Sequence, residues 1–121
     1  MRLREFEELV SDALESLPLS IQQMLENVTV VGQEWPTYEQ LLAQGISDPY
    51  GLLGLYEGTP QIDRGTDYNM VLPDKITIFK SPLEAICESL ETLAKEVRDT
   101  VVHELAHHFG ISDEQLDDMG H

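Results

Sequence analysis

Two histidines and a glutamate near the C-terminal end of the sequence have the types and spacing of a metal site that activates water. They lie in the run His103-Glu104-Leu105-Ala106-His107, which has the pattern H-E-x-x-H. Residues four apart share one face of a helix, so the two imidazoles can bind a single zinc ion. Glu104 lies off that face, where it can accept a proton from a water molecule that zinc activates. The sequence therefore predicts a zinc hydrolase site with Glu104 as the general base.

The same pattern also arises by chance on ordinary solvated helices. The surrounding segment favours a real site, because it has a capped start, an apolar opposite face and a terminating Gly110. Ser81, Pro82 and Glu84 suit the cap, the first and the third positions of a helix. A break in this long helix is expected near Glu91. The apolar residues that repeat with the helical period are Ile86, Leu90, Leu93, Ala94, Val97, Val101 and Leu105.

A catalytic zinc usually takes three protein ligands, so the two histidines need a third. Asp113 is the favoured candidate, because a left-handed Gly110 can end the helix and turn the chain back so that Asp113 faces the metal. A carboxylate there also suits the first turn of a following helix, and the two roles are compatible. His108 lies about 140° around the helix from the first histidine, so we expect it to pack or to support the site. His121, the last residue, is expected to be frayed.

Other segments predict the elements that must position this site. Periodic apolar residues predict a helix over residues 3–17, and capping boxes predict short helices at Ser20, Thr37 and Ser112, the second ending at Gly45. Strands are predicted over residues 28–31, 53–57 and 75–80. The long connection over residues 58–74 suits a binding loop. Helices outnumber strands, so we predict one α+β domain over residues 1–121, with a small three-stranded sheet packed on helices.

Charge and composition exclude several classes of function. Seven Lys plus Arg against 23 Asp plus Glu give a formal net charge of −16, which repels nucleic acids and anionic lipids at long range. No apolar run approaches the roughly 20 residues that span a bilayer, and the N-terminus lacks the pattern of a secretory signal. We therefore expect a cytoplasmic protein without nucleic-acid or membrane partners. The acidic surface favours basic peptides.

The segment from His103 to Asp113 resembles the H-E-x-x-H-x-x-G-x-x-H/D signature of metzincin-type metallopeptidases, with Asp113 in the third ligand position. Residues 52–58, 72–79, 82–84 and 100–103 resemble the bacterial minimal zincins, a family of small predicted metallopeptidases. This resemblance is strong over about the C-terminal half. It implies a reduced zincin-like fold, with a small sheet, the active-site helix beneath it, and an edge strand along which an extended peptide can lie. For the methionine turn of metzincins, Met119 is the residue available.

These observations predict a zinc-dependent metallopeptidase in which His103, His107 and Asp113 bind Zn²⁺. Glu104 activates water and then protonates the leaving amine. The alternative is a non-catalytic zinc-binding or protein-interaction module, because so small a chain has little room for a second wall of a substrate cleft and would need a partner protein. A zincin-like endoribonuclease is disfavoured by the net charge and by the glutamate base. The oxyanion donor stays open among Tyr56, Arg64 and Tyr68.

Overall fold

The computed structural model describes residues 1–58 and 74–121. Within these ranges the helices and strands follow one another in an irregular order along the chain. They are α1 (Leu3–Glu15), α2 (Leu19–Met24), β1 (Val28–Gln33), α3 (Tyr38–Gln44), a 3₁₀ turn (Pro49–Gly51), β2 (Gly54–Glu57), β3 (Asp74–Phe79), α4 (Lys80–Ala85), α5 (Leu90–Phe109) and α6 (Asp113–Asp118). The predicted binding loop over residues 58–74 lies almost wholly outside the described residues, as do Arg64 and Tyr68.

The strands of the described ranges form a mixed sheet in the order β1-β3-β2. β1 runs parallel to the central strand β3, and β2 runs antiparallel to it. Ile76 of β3 lies between Val30 of β1 and Tyr56 of β2 in the register. This sheet on its helices confirms the predicted α+β fold with a small three-stranded sheet. β2 is thereby left at one edge of the described sheet, next to α5.

The main core lies between one face of the sheet and helices α1 and α5. Side chains from all three layers are buried there, including Phe6, Val10, Ile76, Ile78, Val97, Val101 and Leu105. Burial of each such side chain contributes about 1.5–3 kcal/mol relative to its exposure. A smaller cluster of Leu41, Leu52, Leu55 and Phe79 covers the other face of the sheet. The core therefore fixes α5, the helix of the H-E-x-x-H motif, against the sheet.

A helix does begin in the segment predicted for it, but the cap predicted at Ser81 is wrong. α4 begins at Lys80, one residue earlier, and Phe79 is its N-cap. Glu34, at the end of β1, binds this first turn: its carbonyl accepts the Ser81 N–H at 3.1 Å and its carboxylate accepts the Lys80 ammonium at 3.1 Å. Lys80 is buried, and its contact of 2.9 Å with Glu84 raises its pKa. The Ser81 N–H and the Lys80 ammonium of this first turn are thus both bound by the residue that follows β1.

The break predicted near Glu91 is present a few residues earlier, where Ser89 caps α5 and accepts the N–H of Thr92. The capping box predicted at Ser20 is wrong: α2 has Pro18 as its N-cap, and the Ser20 hydroxyl donates instead to the carbonyl of Met119. The boxes at Thr37 and Ser112 are confirmed, and Gly45 ends α3 in the left-handed conformation. No helix among the described residues is both long and apolar enough to cross a membrane.

Candidate active site

α5 presents the two histidines of the motif on its solvent side. The helix buries Val97, Val101 and Leu105 against the core, whereas His103 and His107 are exposed. Their ring centroids are 6.4 Å apart and their planes are inclined by 46°. Both imidazoles therefore lie on one side of the helix, as the four-residue spacing predicts. Nitrogen donors in this arrangement suit zinc.

Glu104 is half-buried between α5 and the edge of the sheet. Its Oε1 accepts a hydrogen bond of 3.2 Å from the backbone N–H of Tyr56 in β2. The glutamate therefore points from the helix toward β2, beside the histidine pair and off its face. Its role as general base stays a prediction.

An open groove of about 340 Å³ runs between α5 and the chain just before β2. Its lining comprises residues 51–54 on one side and Glu96, Asp99, Thr100, His103 and Glu104 on the other. The groove thus contains one histidine of the motif and the candidate base, and three of its side chains are carboxylates. A groove of equal volume lies between α1, α2 and β1 and has no histidine in its lining. Of these two grooves, the one beside α5 is lined by a histidine together with carboxylates.

The third ligand is not brought to the histidine pair within the described ranges. In residues 1–58 and 74–121, no three His, Cys, Asp or Glu side chains come close enough together to hold a metal ion. Gly110 does end α5 with a φ of 66°, and Asp113 is the exposed first residue of α6. The left-handed helix end predicted at Gly110 is therefore present. Asp113 as a ligand stays a prediction.

His108 packs against β2. Its ring stacks on that of Tyr56 with centroids 3.9 Å apart and planes 12° apart, and its Nε2 lies 4.0 Å from Asp74 Oδ2. Phe109 meets both rings edge-on. The structure thus gives His108 the packing role that helical geometry predicts.

His121 is held in place, contrary to the expectation of a frayed end. Its Nε2 lies 3.4 Å from Asp99 Oδ1, and its backbone N–H donates to the carbonyl of Leu116. The preceding residues are fixed because Met119 packs on the core and accepts the Ser20 hydroxyl. Asp99 lies one helical turn before His103, and both residues line the groove. His121 therefore lies near the His103 end of the site. Sequence periodicity carries no signal for this long-range contact.

Tyr56, a candidate oxyanion donor, has its phenol engaged elsewhere. The hydroxyl donates to Asp74 Oδ2 at 2.5 Å. Burial, followed by this hydrogen bond to an anion, raises the pKa of Tyr56 to about 12. The part of Tyr56 that meets the candidate site is instead its backbone N–H. Side-chain types cannot signal such a role, and sequence reasoning missed it.

Comparison with known proteins agrees with this geometry. No curated protein matches the sequence. The model of one family, described as zincin-like metallopeptidase, matches residues 25–121, a range that includes the whole sheet and all of α5 and α6. The zincin family predicted from the motif is thereby confirmed. Because the match spans most of the sequence, the chain belongs to the zincin-like metallopeptidase family.

Proposed function

We propose that this chain hydrolyses peptide bonds at the groove beside α5, with zinc held by His103, His107 and Asp113. The observation that carries the proposal is the exposed histidine pair on α5 together with an open groove whose lining includes His103 and Glu104. Membership of the family supports zinc-dependent peptidase chemistry in general. The roles of the individual residues are our assignment.

The imidazole nitrogens of the pair fit zinc, which when bound lowers the pKa of a coordinated water to about 7. Glu104 has one carboxylate oxygen bound to the Tyr56 N–H, which leaves the other to accept the proton of the attacking water. The water oxygen bonds to the carbonyl carbon, and the carbon–nitrogen bond breaks. Glu104 gives its proton to the departing nitrogen, and the oxygen that came from water keeps its second proton, so the products are a carboxylic acid and an amine.

We further propose that the substrate is an extended peptide with basic side chains. β2 lies at an edge of the described sheet, where a peptide can pair with the outward main-chain groups other than the Tyr56 N–H, which Glu104 binds. The groove beside it contains Glu96 and Asp99. These carboxylates and the net charge of −16 attract Lys and Arg side chains and repel acidic ones.

Cleavage of a peptide library by zinc-loaded protein tests the proposal. Glu104→Gln should retain zinc but lose about 10²–10⁴-fold in rate, because an amide cannot take the proton. Glu88→Gln makes the same chemical change at an exposed position outside the groove and should cleave like the wild type. Equal cleavage by Glu104→Gln and the wild type would remove Glu104 from the mechanism.

A zinc-binding interaction module without catalysis is the second candidate. The described residues bring no third ligand to the histidine pair, and the Tyr56 phenol is engaged with Asp74, which both favour this candidate. Such a module would bind zinc through His103 and His107 and dock a partner protein at the groove. It predicts no cleavage by the wild type or by any variant, which the same library experiment detects.

A further inference from the structure

The backbone of β2 directs alternate peptide groups away from the sheet. The Phe79 N–H donates to the Leu53 carbonyl at 2.9 Å, so these two residues form a hydrogen-bonded pair at the start of the β2–β3 ladder. In an antiparallel ladder this orientation alternates along the strand. Tyr56, three residues after Leu53, therefore points its N–H outward, and that N–H meets Glu104 at 3.2 Å. The contact joins the edge of the sheet to the candidate base.

Tyr56 is itself fixed by its side chain. Its hydroxyl is bound to Asp74 at the start of β3, and its ring lies 3.9 Å from that of His108. His108 is four residues after Glu104 on α5, so one residue of β2 contacts two successive turns of the helix. The peptide N–H of Tyr56 is therefore held at a defined position relative to α5.

Gly54 allows β2 to lie this close to α5. A Cβ at this buried position would stand 2.6 Å from Thr100 Cγ2 and 3.7 Å from Glu104 Cγ. Two carbon atoms do not approach to 2.6 Å, so either the Thr100 side chain must rotate or strand and helix must move apart. Gly54 is not among the glycines with positive φ, so space and not backbone conformation requires glycine here. Thr100 is one turn before Glu104, and any displacement caused by the collision would reach the base.

We propose that the β2 backbone positions the general base: the Tyr56 N–H fixes the Glu104 carboxylate, and Gly54 permits the close approach that this bond needs. The inference rests on the proposed peptidase function and deepens it. A carboxylate held by one oxygen presents the other in a constant direction, which proton transfer requires. Tyr56 and Gly54 act through Glu104 and are positioning residues.

A pair of substitutions at Tyr56 isolates the N–H. Tyr56→Ala and Tyr56→Pro both lose the aromatic ring, but only proline also lacks the N–H. Proline is tolerated on an edge strand where the N–H faces away from the neighbouring strand. At equal zinc content, we expect kcat of Tyr56→Pro to be about tenfold or more below that of Tyr56→Ala, with similar KM. Equal kcat values would overturn the proposal.

Gly54→Ala with a compensating change provides a second test that leaves Tyr56 intact. The alanine should lower kcat while zinc content is retained. Adding Thr100→Ser removes the Cγ2 methyl that collides and keeps the hydroxyl. The double variant should therefore have a kcat close to that of Thr100→Ser alone. A Gly54→Ala enzyme as fast as the wild type, or a loss that Thr100→Ser does not relieve, would contradict the role of Gly54.

Hydrogen exchange tests the contact without any assay of activity. Glu104→Ala should accelerate exchange of the Tyr56 amide but not that of Gly32, whose N–H on β1 is bound by Glu7 at 3.3 Å. Glu7→Ala should have the converse effect. Unchanged Tyr56 exchange in Glu104→Ala overturns the inference itself. If Glu104→Ala loses the protection but the zinc-loaded wild type cleaves no peptide, the proposed function is refuted. The contact then remains as a cap on the strand edge.

Discussion

Zinc should stabilise the folded chain through His103 and His107 and not through His108. Ligand present at 100 times its dissociation constant adds about 2.7 kcal/mol to the free energy of unfolding. For a chain of this length that corresponds to a rise of roughly 10 °C in the melting temperature. The rise is the difference between the same variant with and without zinc, so it is insensitive to the intrinsic stability of each variant.

The three histidines differ in what their removal does without zinc. His103 and His107 are exposed. Their two rings lie near each other, with centroids 6.4 Å apart. Replacement of either by alanine should change metal-free stability by no more than about 0.5 kcal/mol. His108 stacks on Tyr56 at 3.9 Å, and loss of such an aromatic pair costs about 0.5–1.5 kcal/mol.

Thermal or urea unfolding with and without zinc measures both effects. His103→Ala and His107→Ala should have near-normal metal-free stability and almost no increment from zinc. His108→Ala, the matched control on the adjacent residue, should be less stable without metal and should retain the full increment. If His103→Ala or His107→Ala retained the increment and His108→Ala lost it, the assignment of the metal site would be refuted.

Two further predictions concern the third ligand and Tyr56. Asp113→Ala should weaken zinc binding at least about tenfold, or 1.4 kcal/mol, whereas His121→Ala should stay near the wild type in a zinc titration; the reverse order would replace Asp113 by His121 as the ligand. Tyr56 has its pKa raised from 10.0 to about 12 in the fold, so its protonated form is favoured there. The protonated Tyr56 hydroxyl therefore adds to the free energy of unfolding below pH 10, and this addition is lost as the pH rises toward 12. Unfolding measured across that range should show this loss in the wild type and not in Tyr56→Phe, and parallel pH profiles would contradict it.

Local signals predicted the elements that carry the site. The four-residue spacing placed His103 and His107 on one side of a helix, and Gly110 ended that helix with the left-handed conformation expected of it. The capping box at Ser112 formed as predicted. In each case the partners are at most four residues apart, so the backbone geometry of the element itself decides the outcome.

Contacts between distant segments could not be predicted in this way. The hydroxyl of Ser20 binds a carbonyl 99 residues away instead of capping its own helix. The bond from the Tyr56 N–H to Glu104 joins residues 48 apart and uses a main-chain group, which has no signature in the residue types. Both depend on how β2 and the C-terminal segment pack on the helices. The relative positions of these segments depend on all the contacts of the core together, so no local pattern predicts them.

The ligands and stoichiometry of bound zinc test the central claim most directly. X-ray absorption and metal analysis of protein loaded with zinc should show one ion per chain, bound by two imidazole nitrogens at about 2.0–2.1 Å and completed by oxygen. Sulfur should be absent from the ligands, because Cys87 is half-buried and burial raises the pKa of its thiol. A chain that binds no zinc more tightly than about 1 μM, or one that binds it without His103 and His107, would contradict the account.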